Sequence, residues 1–291
     1  MKLLVPLAAA LLLSGCASAG GTGAAGFGAE PSPDTSPSVV LSPSPSPAAA
    51  TPRPSAPAPV WRVGASPLPL RPDGFGQVLP TPTVLRNRRL PTVDLLRPPA
   101  DGRFAATIGT IAPSIRTRMG ETWSAACPVP LSGLRYVTVV FRGFDGKVHR
   151  GELVVATRMA PKVISVFRTL FAIGFPIEEM RLPTTKDLRD KPTGDGNNTA
   201  AYVCRAARGQ TRFSAHAYGV AIDVNPFQNP EVKRDLVLPE LASAYKDRTW
   251  HRSGMFFAGD RGVRAFAAIG WKWGGFWHTS KDPMHFSSTG N

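Results

Sequence analysis

The stretch Ser214-Ala-His-Ala-Tyr-Gly-Val-Ala-Ile-Asp223 joins a turn to a strand. From Gly219 onward its apolar residues read as a short buried strand, which fixes Asp223 rigidly while His216 projects from the turn before it. A carboxylate between Ile222 and Val224 carries a desolvation cost unless a cation or hydrogen bonds offset it. Near the C-terminus, Lys281-Asp-Pro-Met-His-Phe286 brings a second imidazole, His285, on what reads as a last strand over 284–287. Two imidazoles and a carboxylate can hold one metal ion. The triplet suits catalytic Zn²⁺, which takes three N/O protein ligands and leaves a fourth position for water. Asp282, three residues before His285, is the candidate base beside that water. The chain has no His-Glu-x-x-His helix, so the common metalloprotease signature is absent.

Upstream, Tyr136-Val-Thr-Val-Val-Phe141 within a β-rich run over 134–141 meets Asp145-Gly146, and a partly alternating run over 148–156 follows. The pattern predicts a β-hairpin. Pro161 suits the first turn of a helix whose Val163, Val166, Phe167, Leu170 and Phe171 recur at spacings of three and four, with Gly174 as the stop. One face of this helix should cover the sheet. Residues 176–182 and 200–204 read as further strands around a polar Asp195-Gly-Asn-Asn198 loop, and 263–269 as a short helix closed by Gly270. Strands and helices are segregated rather than alternating, which predicts an α+β fold: an antiparallel sheet with helices packed on it.

The strings Ser214-x-His216-x-x-Gly219-x-Ala221-x-Asp223 and Asp282-x-x-His285-Phe286, with Trp273-Gly-Gly-x-Trp277 shortly before the second, form a specific set. Across roughly 127–288 the chain resembles the D-alanyl-D-alanine carboxypeptidase family of zinc peptidases, the VanY-like group that also includes endolysin L-alanyl-D-glutamate peptidases. The resemblance implies a hedgehog/DD-peptidase-like fold with the zinc site on the sheet and adjoining loops. It implies that His216, Asp223 and His285 bind Zn²⁺ and that Asp282, where some members carry Glu, is the general base. Arg205 resembles the family's arginine for a substrate carboxylate or oxyanion, in a Val-Cys-Arg-Ala context rather than Gly-Tyr-Arg-Ser. Ser214 is expected to orient substrate or His216. Trp277 is a candidate wall of the cleft, and Trp271, Trp273 and Phe276 can equally be core. His278 matches no part of the motif, and His149 and His251 read as structural or exposed.

The N-terminal segment is of another kind. Lys2, an apolar run over 3–13 and Leu13-Ser-Gly-Cys16 read as a secretory signal, too short to span a membrane permanently. Its last four residues resemble a bacterial lipobox, so 1–16 is expected to be a lipoprotein signal ending at Cys16, the lipidated residue. Residues 17–60 read as a disordered tether rich in Pro, Ser and Ala: ten prolines fall between Pro31 and Pro59, favouring an extended, solvated chain. Residues 61–105 read as an irregular lead-in, and 106–291 as the zinc peptidase domain. Outside the cytoplasm thiols oxidise, so Cys127 and Cys204 are expected to pair.

The formal net charge is +14, and Lys2, Arg53, Glu30 and Asp34 cancel within residues 1–60, so the remainder carries all of it. Anionic wall polymers or lipid head groups are the expected neighbours, and no nucleic-acid module is evident. These readings converge on a lipid-anchored monomer on the extracytoplasmic face of a bacterial cell membrane. The resemblance implies hydrolysis of an amide bond in peptidoglycan stem peptides, by D-alanyl carboxypeptidase or L-alanyl-D-glutamate endopeptidase action. The alternatives are a non-catalytic wall-peptide-binding lipoprotein and a metallopeptidase acting on proteins.

Overall fold

An antiparallel hairpin organises the first half of the computed structural model, which describes residues 60–207 and 210–290. Cys16, the signal and the tether before Val60 lie outside the described residues. Strands β2 (Leu134–Arg142) and β3 (Val148–Ala156) pair from Leu134↔Ala156 to Arg142↔Val148. Their turn is closed by the Gly143 N–H donating to the Lys147 carbonyl at 2.9 Å. β1 (Ala106–Gly109) adds to the other edge of β2, giving the order β1-β2-β3.

The period of two sorts the hairpin into two faces. Val137, Val139, Phe141, Leu153 and Val155 join the main core, whereas Leu134 and Val154 enter a second cluster with Met119, Leu182 and Tyr202. Met119 closes α1 (Pro113–Met119). The main core is covered by α2 (Ala160–Ala172), whose Val163, Val166, Phe167 and Leu170 are buried. Each such side chain contributes roughly 1.5–3 kcal/mol by leaving water. The helix ends before Gly174, whose φ of 69° suits glycine.

The second half is built of small pieces: β4 (Ala221–Asp223), β7 (Lys272–Trp273) and β8 (His285–Ser287) form an antiparallel sheet in the order β4-β8-β7. A separate hairpin joins β5 (Glu231–Lys233) to β6 (Leu236–Leu238). Thr184 and Asp187 cap α3 (Thr185–Arg189) reciprocally. α4 (Arg261–Ala268) packs on α2 and β7, and Phe266 stacks on Phe286 of β8 with ring centroids 3.8 Å apart. The architecture is α+β. No helix among the described residues is long and apolar enough to cross a membrane.

Residues 176–182 and 200–204 do not form strands; they make only the isolated bridges Arg142↔Pro176, Glu179↔Asn198 and Ala200↔Asp223. Single backbone bonds, such as Ile177 N–H to the Arg142 carbonyl (2.8 Å), are interspersed with bonds to side chains. Arg181 N–H donates to Asn198 Oδ1 (2.9 Å) of the polar loop and Glu178 N–H to Asn225 Oδ1 (3.4 Å) just after β4, acceptors that a neighbouring strand otherwise would supply.

The lead-in is irregular, with one short 3₁₀ turn at Thr83–Leu85, yet it is packed. Leu68 and Leu85 are buried with Phe227, Val237, Leu241 and Tyr245. Arg88 is fully buried and forks onto Glu178, Nε to Oε2 at 2.8 Å and Nη2 to Oε1 at 2.6 Å, while Nη1 donates to the Asp195 carbonyl at 2.7 Å. At the start of the segment, the Trp61 indole N–H donates to Asp195 Oδ2 (2.9 Å). The described residues from Val60 onward fall within one compact unit.

Candidate metal centre and its groove

His216 stands on a 3₁₀ turn, Ala215–Tyr218, that ends in left-handed Gly219 (φ 65°). The Gly219 carbonyl accepts the Ala156 N–H (2.8 Å), and a Cβ at 219 would lie 2.5 Å from that nitrogen. Only glycine lets the turn seat on the end of β3. In the strand that follows, Val220, Ile222 and Val224 enter the core and Asp223 faces the opposite way. Asp223 pairs in register with His285 on β8, so two candidate ligands are cross-strand neighbours on one face.

The three donors converge. His285 Nδ1 lies 2.9 Å from Asp223 Oδ1, His216 Nε2 lies 3.3 Å from Asp223 Oδ2, and the two ring nitrogens are 3.3 Å apart. One ligand atom from each residue can be chosen so that all lie within 4.8 Å of one another. The other His216 nitrogen, Nδ1, donates to the Ala201 carbonyl (2.5 Å), which commits the ring's hydrogen there and turns the Nε2 lone pair towards the site. A cation satisfies the three donors together, and two imidazoles with a carboxylate are N/O donors of the kind zinc accepts. Burial pushes the Asp223 carboxyl up, but when the imidazoles are protonated His216 and then His285 outweigh it and hold the group well below the usual carboxylate range.

Asp282 is buried beside β8, and its carbonyl accepts the His285 N–H (3.1 Å), a tight turn linking the candidate base to a candidate ligand. The Asp282 N–H donates to the Gly274 carbonyl (3.1 Å), and Trp273 Nε1–H donates to the Pro283 carbonyl (2.8 Å). A Cβ at Gly274 would come within 2.5 Å of the Asp282 carbonyl oxygen. Asp282, the three candidate ligand residues, Ser214, Arg205 and Trp277 all line one groove of about 2090 Å³.

Arg205 begins a small hairpin in which Ser214 N–H donates to the Arg205 carbonyl (3.1 Å) and Ala207 N–H to the Arg212 carbonyl (2.9 Å). Cys204, immediately before it, is bonded to Cys127. Ser214 Oγ is buried and has no hydrogen-bond partner among the described residues. The Trp277 ring lies 5.3 Å from His285 and its indole N–H donates to the Gly290 carbonyl (3.0 Å). Trp271 and Trp273 belong to the core and Phe276 is exposed. His278 is exposed on the groove and outside the ligand group. His149 is held between Asp94 (2.9 Å) and Asp145 (3.0 Å), and His251 stacks on Phe257.

Sequence reasoning missed the loop that supports Asp223. Asn225, buried at φ 44°, donates through Nδ2 to the Pro176 carbonyl (2.8 Å), and its N–H donates to Thr199 Oγ1 (3.2 Å). Asn229 Nδ2 donates to the Gly254 carbonyl (2.8 Å), and Asn229 Oδ1 accepts the Phe256 N–H (2.8 Å). The repeated Asn-Pro of Asn225-Pro-Phe-Gln-Asn229-Pro230 was the available signal, because asparagine tolerates positive φ and Asn-Pro favours a turn.

Residues 208–288 match the family model described as D-alanyl-D-alanine carboxypeptidase. That span holds His216, Asp223, Asp282 and His285 and stops short of Arg205. The match supports a hydrolase of the peptidase class. No curated protein and no solved structure matches the chain.

Proposed function

We propose that this protein is a zinc-dependent peptidase that hydrolyses an amide bond in peptidoglycan stem peptides, at the D-alanyl terminus or between L-alanine and D-glutamate. The observation that carries the reading is the convergence of His216 Nε2, Asp223 and His285 Nδ1 in a groove also lined by Asp282 and Arg205. His216, Asp223 and His285 would hold the zinc, which would supply Lewis acidity to a water and to a substrate carbonyl. The chain's own residues do the rest. Asp282, pinned by its backbone to Gly274 and His285, takes the proton of the attacking water and returns one to the departing amine. Arg205 offers a guanidinium fork to a substrate carboxylate or developing oxyanion. Trp277 walls the groove beside His285, and Ser214 Oγ has a hydroxyl to offer the substrate.

The same reading places the protein outside the cytoplasm, anchored by lipid on Cys16 and facing the cell wall; the signal-like N-terminus and the Cys127–Cys204 bond support that placement. The test is mass spectrometry of muropeptides incubated with zinc-loaded protein, beside Asp282→Ala. Loss of terminal D-alanine, or separation of L-alanine from D-glutamate, with a silent but zinc-binding variant supports the proposal. Folded, zinc-loaded protein that leaves every muropeptide intact overturns it.

A further inference from the structure

The hairpin at the rim of the groove carries a second guanidinium in phase with the first. Its two backbone hydrogen bonds flank the bridge Ala206↔Phe213, which sets Arg205 opposite Ser214 and Ala207 opposite Arg212. Residues directly opposite share a face, as do alternate residues along a strand, so Arg205, Ala207, Arg212 and Ser214 point to one side. All four line the groove. Moving away from the candidate ligands, the Ser214/Arg205 pair comes first and the Ala207/Arg212 pair next. The short Ala207 side chain leaves the space over the second pair to Arg212.

Arg212 also differs from the other arginine of this groove that lies near carboxylates. Arg181 is tied to Glu179 and Asp187, while no carboxylate among the described residues pairs with Arg212, whose Nε donates to Gln210. Its charge is therefore open to a ligand. Diagonal neighbours in an antiparallel pair lie about 7–8 Å apart. An extended peptide advances about 3.3–3.6 Å per residue, so two carboxylates borne two residues apart match that separation.

We propose that Arg212 is a specificity-determining residue that reads a second carboxylate of the substrate, two residues along an extended peptide from the carboxylate at Arg205. The preferred substrate is thus a dianionic peptide. The inference rests on the peptidase reading for its substrate class, and binding can be measured apart from turnover.

Two synthetic peptides serve as probes, both with a free C-terminal carboxylate, one with glutamate two residues before it and one with glutamine there. Calorimetric titration of zinc-loaded Asp282→Ala protein gives affinity without hydrolysis, and zinc-loaded protein with Asp282 intact gives kcat and KM. The glutamate peptide should bind about tenfold more tightly, the effect of one charged hydrogen bond, and show its advantage in KM rather than kcat. Arg212→Gln should abolish the preference while leaving affinity for the glutamine peptide and zinc content unchanged, and Arg212→Lys should keep part of it. Equal binding of the two peptides, or a preference that survives Arg212→Gln, overturns the proposal. A preference in binding, beside zinc-loaded protein that leaves every muropeptide intact, overturns the peptidase reading alone and leaves Arg212's role standing.

Discussion

Gly274 has no room for a methyl group: its missing Cβ would press on the Asp282 carbonyl oxygen. Gly274→Ala should displace the candidate base and lower kcat about a hundredfold, the scale expected of a misplacement near 1 Å, with zinc content unchanged. Metal analysis beside a rate measurement checks this. Gly219→Ala acts elsewhere, since its Cβ meets the Ala156 backbone and φ is positive. A loss of about 1–3 kcal/mol, read as a lower Tm, is expected. Chelation should also lower Tm, and zinc at about a hundred times its Kd should restore about 2.7 kcal/mol. The candidate ligands His216, Asp223 and His285 could be picked out because few residue types can bind a metal, and their strings carried their spacing. Gly274 was not, because its constraint comes from another segment folding against it.

Among the elements, the β2–β3 hairpin and α2 could be read from sequence because a run of valines with a turn, and a three-and-four spacing with Pro161 and Gly174, are local patterns. The paths over 176–182 and 200–204 could not. Their backbone bonds are scattered, Ile177 N–H to the Arg142 carbonyl and Cys204 N–H to the Thr122 carbonyl among them, and Glu178 and Arg181 donate to the side chains of Asn225 and Asn198, which alternation does not encode. The hairpin bearing Arg205 is held at its base by the Cys127–Cys204 bond, which spans 77 residues. Replacing both cysteines with serine should cost about 4 kcal/mol in the chain-entropy picture. A looser hairpin should raise KM more than it lowers kcat, which denaturant titration and steady-state kinetics together would show.

For the whole molecule, the lead-in is part of what holds the fold, although no periodicity announces it. Arg88 lies under the chain, bonded to Glu178 and set over Phe227 with its guanidinium carbon 4.4 Å from the ring centre. Arg88→Met leaves the Glu178 carboxylate buried without its partner and should destabilise by about 3–5 kcal/mol, and adding Glu178→Gln should recover part of the loss. Thermal melts of the two variants decide this. A chain begun at residue 106 should fold poorly for the same reason, since Leu68, Leu85 and Arg88 are gone.

β8 lies between β4 and β7, yet it follows both in the sequence. A chain delivered from its N-terminus, as in export, supplies two outer strands before the one that bridges them. His216 and Asp223 are then present without His285, and Asp282 has no strand behind it. The last piece of the candidate centre is therefore delivered last: His216 and Asp223 gain His285 only when the bridging strand slots in, and a chain halted before residue 285 should hold zinc more weakly than the full chain.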